Sequence, residues 1–221
     1  MRKNTKNAPS IPDSPIPTLL QIPGDIENLQ LPSPELLTFY KNAKDRVLWI
    51  DCAIELDEGI LEVSRLILRY NAEDKDIPVE KRKPIKLLLY SYGGDGQACF
   101  SLLDIIALSK TPVYTVNMGV AMSAGLLILL AGHKRFCLPH STALAHSGSG
   151  GTQGTYEQTE AQMKNYRRFV KAMQDYIMER TDIDTKLLNK NKGREWYLYV
   201  EDQIKYKIVD KVIEDIDELC G

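Results

Sequence analysis

Ser123 and a histidine 23 positions later, His146, are residue types that together suit acyl-transfer chemistry. A serine hydroxyl is a weak nucleophile until a base takes its proton. Histidine suits that task because its unperturbed pKa lies near neutrality. Ser123 stands among small residues, Gly119, Ala121, Ala124 and Gly125, and directly before the apolar run Leu126-Leu127-Ile128-Leu129-Leu130-Ala131. This pattern reads as a tight turn that sets Ser123 at the N-terminus of a buried helix. Small neighbours there let another segment approach the hydroxyl closely. The helix end also offers unpaired N–H groups where negative charge could develop. A small-residue helix start packed in a core would carry the same pattern. The chain has three histidines. His133 and His140 sit in polar turns and read as surface residues. His146 follows Ala143-Leu144-Ala145 and precedes glycines, so it stands at a strand end, supported and accessible; a structural role fits it as well as a base. Gly93-Gly94 closes an earlier strand, with Gly94 29 residues before Ser123. Glycine permits close backbone approach there, although an ordinary strand-to-helix turn would also use it. His133, Cys137, His140 and His146 lie close in sequence, but their spacing matches no compact zinc pattern, so no metal is expected.

The surrounding elements follow from periodicity. Arg46–Asp51 and Ile85–Tyr90 read as buried strands, and Val113–Asn117 as a third strand leading into Ser123. Asp57–Tyr70 reads as a helix with Ile60, Val63, Ile67 and Tyr70 on one face, and Asp95–Lys110 as a helix facing inward through Ala98, Leu102, Ile105 and Ile106. Charged, proline-bearing Asn71–Pro84 reads as a loop. Lys134–Leu138 and Thr142–Ala145 are short strands around a turn at Pro139, and Ser147–Gly154 is glycine-rich and extended. The clearest helix is Tyr156–Arg180, where Met163, Tyr166, Val170, Met173 and Ile177 make an apolar stripe. Ile183–Asn189 reads as a short helix, Val200–Tyr206 as a helical turn and Ile208–Ile213 as a strand. The acidic end, Glu214–Gly221, should fray. Strands alternating with helices imply an α/β fold with a largely parallel sheet.

Composition narrows the class. The 221 residues suit one domain with an arm, and 43% apolar content suffices for a core. Residues 1–34 hold seven of the eleven prolines and read as an extended, partly disordered arm ahead of a domain over 35–221. A net charge of −2 with scattered basic residues gives nucleic acid no footprint. Cys52, Cys99, Cys137 and Cys220 are far apart, as expected for reduced thiols in a cytoplasmic protein. No apolar region follows Met1-Arg2-Lys3-Asn4, so no signal peptide is expected. The uncharged stretch Thr111–Gly132 is broken by Pro112, Asn117, Gly119 and Gly125, which fits a buried strand–turn–helix better than a membrane span.

Together these motifs resemble the ClpP family, the proteolytic subunits of ATP-dependent Clp proteases, over about residues 36–215. The family's G-x-A-x-S-x-G string is Gly119, Ala121, Ser123 and Gly125. Its stretch before the histidine is Arg135-Phe136-Cys137-Leu138-Pro139, and its glycine-rich stretch after it is Gly150-Gly151-Thr152-Gln153-Gly154. The resemblance implies a ClpP/crotonase-like superhelix of strand-strand-helix repeats with a protruding handle helix. It implies a serine endopeptidase working inside a ring-shaped chamber, with Ser123 as nucleophile, His146 as base and the backbone amides of Gly94 and Ala124 as oxyanion donors. No cofactor enters such chemistry. The implied partners are a peptide or unfolded protein substrate, further copies of the chain in stacked rings, a tetradecamer in the family, and an AAA+ ATPase.

The sequence also departs from the family. An ungapped register from Arg180 to Asp210 sets Glu195 where the family has its third catalytic residue, an aspartate. Glutamate can orient a histidine, but its extra methylene requires a shifted backbone or rotamer. Asp182, Asp184 and Asp202 are rival acids, and Asn191 could orient the ring without charge. The family's Asn-Ser-Pro-Gly-Gly is Tyr90-Ser91-Tyr92-Gly93-Gly94 here, its usual methionine is Ala124, and its proline after the histidine is Gly148. The proline-rich arm replaces the segment that usually forms axial loops. Two other functions fit the same fold: a catalytically impaired, structural ring subunit that supports a partner or a translocation process, and a crotonase-like enzyme acting on acyl-CoA.

Overall fold

The computed structural model describes residues 33–56 and 58–220, leaving aside the side chains of Glu58 and Cys220. The arm expected over 1–34 lies almost entirely outside these residues. The chain divides into two units, Met1–Thr38 and Phe39–Gly221, and the second carries every strand among the described residues. The first described element is α1 (Pro34–Asp45), which the periodicity did not reveal because none of its residues is buried.

Five strands make a parallel sheet in the order β1 (Val47–Ile50), β2 (Ile85–Ser91), β3 (Val113–Met122), β4 (Lys134–Cys137) and β7 (Lys211–Val212). Near-continuous apolar runs such as Leu87-Leu88-Leu89 suit a sheet covered on both faces. Against it lie α2 (Glu58–Glu73), with Ile60, Val63, Ile67 and Tyr70 buried as the periodicity predicts, and α3 (Gly96–Leu108), with Ala98, Leu102 and Ile106 fully buried. Asp95 caps α3 by accepting from the Ala98 N–H at 2.8 Å. The α2 helix continues to Glu73, past the expected boundary at Tyr70, and a short 3-10 turn at Val79–Lys81 interrupts the expected loop. Asp74 explains the order there. Its carboxylate pairs with the Arg46 guanidinium at 2.6 Å and accepts from the Thr111 hydroxyl at 2.9 Å.

The β3 strand shapes the site. It runs to Met122 rather than ending near Asn117. Its first half pairs with β4, and its second half, Val120–Met122, pairs with β5 (Thr142–Ala145). The register against β2 shifts between Leu89 and Ser91, so β3 carries a bulge around Gly119, where the sequence reads as a turn. Buried Asn117 holds this bulge. Its Oδ1 accepts from the Gly119 N–H at 3.1 Å, while its Nδ2 donates to the Thr142 carbonyl at 3.2 Å and to Gln203 Oε1 at 3.3 Å. A buried side-chain amide with partners on both ends offsets its desolvation.

The α4 helix (Ala124–Ala131) is buried on all sides. The long helix α5 (Tyr156–Arg180) has the boundaries its periodicity predicts, and Thr155 and Gln158 close a capping box at its start. Along its stripe Met173 and Ile177 are buried, Tyr166 and Val170 are half-buried, and Met163 is exposed. This is the handle-like helix of the α/β fold, rooted at its C-terminal end. After α6 (Thr185–Lys190), the short strand β6 (Trp196–Leu198) pairs antiparallel with β5, and α7 (Val200–Lys205) leads to β7, which is shorter than expected. The acidic end does not simply fray: α8 (Asp217–Cys220) buries Leu219 beside Leu88, Val116 and Ile213, and Lys86 donates to the Leu219 carbonyl at 2.8 Å. Among the described residues no helix is long and apolar enough to cross a membrane.

Candidate active site

Ser123 lies between β3 and α4 with φ 54° and ψ −119°. A non-glycine residue seldom adopts positive φ, and holding one there costs roughly 1–3 kcal/mol. Neighbouring bonds impose the turn. The Ser123 N–H donates to the Leu144 carbonyl on β5 at 2.9 Å, and its carbonyl accepts from Leu126 at 3.1 Å to begin α4. With α4 anchored in the core, the turn lifts the hydroxyl off the sheet's end into a groove. This is the tight turn that the small residues predict. Behind it, Cys99 Sγ donates to the Ala124 carbonyl at 3.3 Å. Burial pushes that thiol up to about 12, so it stays protonated and is no rival nucleophile.

Gly93 and Gly94 have φ of 102° and 152°, conformations that L side chains rarely adopt. A Cβ on Gly93 would sit 2.7 Å from Ser123 Cβ and 3.1 Å from the Ala124 nitrogen; one on Gly94 would overlap the Ile54 carbonyl. The glycines therefore let this turn lie directly against the serine. Ile54 fixes it from the far side: its N–H donates to the Gly93 carbonyl at 2.9 Å, and its carbonyl accepts from Asp95. That pairing turns the Gly94 N–H away from Ile54. Neither the Gly94 nor the Ala124 N–H has an acceptor among the described residues, and both residues line the groove beside Ser123. Two free amides there, one at a helix start, can receive negative charge on an oxygen bound at Ser123.

His146 follows β5, and its Nε2 lies 2.7 Å from Ser123 Oγ, a hydrogen-bonded pair. His133 and His140 are exposed and remote in role; His133 Nδ1 accepts from the Val113 N–H at 3.0 Å. The β5–β6 ladder pairs Leu144 with Tyr197 and Ala145 with Trp196. One further step sets His146 opposite Glu195, and directly opposed residues share a sheet face. Leu144, His146, Glu195 and Tyr197 accordingly all line the groove. Glu195 does not, however, bond to His146. Its Oε2 accepts from the Tyr197 hydroxyl at 2.8 Å, and among the described residues the one hydrogen bond of the imidazole is to Ser123. Asn191 borders a second, small cavity behind His146 and spends its Nδ2 on the Leu187 carbonyl at 3.0 Å. Of the rival acids, Asp182 pairs with Lys207 at 2.9 Å and Asp184 caps α6.

The groove measures about 940 Å³. Met122, Leu127, Phe169 and Met173 give it an apolar floor, and residues 148–152 form one rim. Tyr92, in the stretch before Gly93-Gly94 where the sequence departs from the family, lines the groove, as does Tyr197, which is not evident as a site residue from sequence. Tyr197 stands on β6 two positions after Glu195, so the same-face rule extended back from that strand finds it once β6 is known. Among the described residues no cluster of three or more His, Cys, Asp or Glu side chains could hold a metal ion.

Comparison with known proteins gives the family. The chain is 29% identical over 180 residues to the ATP-dependent Clp protease proteolytic subunit of Deinococcus radiodurans, covering 80% of this chain and 85% of that one. It is 33% identical over 182 residues to proteolytic subunit 2 of Treponema denticola, covering 81% and 86%. It is 31% identical over 195 residues to proteolytic subunit 1 of Bacillus cereus, covering 87% and 97%. The Clp protease family profile matches residues 71–216, a span that holds Gly94, Ser123, His146 and Glu195. With that match across most of the chain, the protein belongs to the Clp protease family and is a peptidase by kinship.

Proposed function

We propose that the chain is a serine endopeptidase of the Clp proteolytic-subunit type, acting on peptides or unfolded protein. The observation that carries this reading is the 2.7 Å contact between Ser123 Oγ and His146 Nε2, on a serine held at positive φ. Ser123 attacks the peptide carbonyl while His146 takes its proton. The Gly94 and Ala124 amides receive the oxyanion. His146 then protonates the departing amine, and water, deprotonated by His146, releases the acyl group. Glu195 is the third member, supported by its place opposite His146. The chemistry needs no cofactor.

In this reading residues 35–221 form the peptidase domain, residues 1–34 an arm, and the domain assembles into two stacked sevenfold rings served by an AAA+ ATPase in the cytoplasm. Family kinship and the uncovered N-terminal half of α5 support the rings. Light scattering should find a particle of several hundred kilodaltons; a stable 25.0 kDa monomer at micromolar concentration would refute it. One observation favours a second reading, an impaired ring subunit: the Glu195 carboxylate is engaged by Tyr197. A fluorophosphonate probe separates the two. It should label the wild type at Ser123 and leave Ser123→Ala unlabelled. Equal labelling of both proteins would refute the nucleophile, and no labelling of the intact wild-type assembly would favour the impaired subunit.

A further inference from the structure

We infer that Tyr197 is a positioning residue that restrains the third member of the site: its hydroxyl holds the Glu195 carboxylate off His146, and a substrate that engages the Tyr197 side of the groove releases it. This rests on the serine-peptidase reading above.

Strand register brings the acid and the base together. The β5–β6 ladder ends at Ala145 opposite Trp196; continued one step past that pair, its register sets His146 across from Glu195, and both residues line the groove. Opposed Cβ atoms lie about 4.5–5.5 Å apart, and a glutamate side chain exceeds that reach. On this register Glu195 has two candidate partners, the imidazole and the Tyr197 hydroxyl. In the structure it takes the residue two positions on, with Oε2 accepting from the Tyr197 hydroxyl at 2.8 Å. The same bond holds the Tyr197 phenol above its usual pKa, so the donor stays protonated through the neutral range. His146 is left with the Ser123 contact alone. An aspartate here would be one methylene shorter; the glutamate's extra reach makes the alternative bond accessible.

Both partners are exposed, Tyr197 at 44%, so the bond competes with water and is weak enough to exchange. Tyr197 also lines the groove itself, with Tyr92 and Tyr166. A peptide lying there meets the ring and offers the hydroxyl other acceptors. The hydroxyl then leaves Glu195, and the carboxylate turns to the imidazole. Other ionisable groups near the pair are Asp95 at the start of α3, Tyr166 on α5, Tyr199 just after β6 and, behind the imidazole, Lys192. None of these changes in the test.

Tyr197→Phe removes the hydroxyl and keeps the ring. Freed Glu195 favours the imidazolium, which has two consequences. Fluorophosphonate labelling of Ser123 in the absence of peptide should quicken by about twofold to tenfold, the range for losing one exposed hydrogen bond. The acid limb of the labelling rate should move to higher pH, because the base acts only when neutral and a nearby carboxylate keeps it protonated longer. Glu195→Gln should erase both effects, so Tyr197→Phe made on that background should match Glu195→Gln alone. A Tyr197→Phe protein that labels at the wild-type rate with an unmoved acid limb overturns the restraint while leaving the peptidase reading intact. Slower labelling overturns it too, since Tyr197 would then support Glu195. If the wild-type assembly is not labelled at all, the peptidase reading fails and the restraint falls with it.

Discussion

On the nucleophile's side of the groove, backbone sets every position: the Ser123 turn bonded to Leu144, the Gly93-Gly94 turn bonded to Ile54, and the first turn of a helix buried on all sides. On the acid's side, a side chain sets it. Glu195 stands exposed before the three-residue strand β6, and its carboxylate has gone to Tyr197. The backbone-built half has its parts within bonding distance; in the other half the acid bonds to Tyr197 and not to His146. The contrast follows from how each part is held. Main-chain groups inside a sheet and core lose their bonds only with the fold, whereas an exposed rotamer exchanges among partners of similar worth.

The largest effect should come from breaking the backbone half. In Gly94→Ala the methyl group meets the Ile54 carbonyl in a conformation closed to side chains. We expect a stability loss of more than about 2 kcal/mol by thermal unfolding, because the turn must move. Among folded assemblies, peptide turnover should fall about 10³-fold as the Gly94 N–H leaves its aim. A folded Gly94→Ala protein with near wild-type turnover would remove Gly94 from the oxyanion site.

Glu195→Gln comes next. A charged acid held rigidly against a catalytic histidine can be worth about 10⁴ in turnover, the loss seen when the aspartate of a serine-protease triad becomes asparagine. An acid that reaches its histidine only part of the time should be worth less, so we expect a loss of about 10². Steady-state turnover of Glu195→Gln beside Asn191→Ala and Asp202→Asn checks it. If Glu195→Gln stays near wild type while one of the others collapses, the acid lies elsewhere and the contrast between the halves disappears.

The same division marks what the sequence makes legible. Elements with strong periods, α2, α3 and α5, stand where the pattern predicts to within a few residues, because one apolar face decides their position. The Ser123 turn is legible from its small residues, and His146 from its place at a strand end. The bulge in β3 is not, since Asn117 and Gly119 read as breakers and only the partners Thr142 and Gln203, distant in sequence, keep the strand going. β6 is too short for a period, and its existence depends on β5. Nor can a family register show whether Glu195 bonds to His146 or Tyr197. It fixes a position along the chain, and the choice between two partners is a matter of rotamers.

The smallest effect, Ala124→Gly, tests the backbone side most directly. If the oxyanion donor at 124 is the main-chain N–H, the side chain is dispensable to the chemistry. The substitution leaves the amide, the carbonyl that accepts from Cys99 and the first position of α4 in place. Ala124 is buried, so losing its methyl should cost about 1 kcal/mol, with a further small penalty for glycine in a first helical turn. Turnover should change by less than about threefold, a shift in barrier below one tenfold step. Thermal unfolding and steady-state kinetics on the same preparation separate the two effects. A modest fall in melting temperature with nearly unchanged turnover is the expected result. A loss of about 10²-fold or more in an intact, stable assembly, the scale of a lost oxyanion donor, would mean that the alanine methyl holds the turn. The nucleophile's half would then depend on side chains as much as the acid's half does.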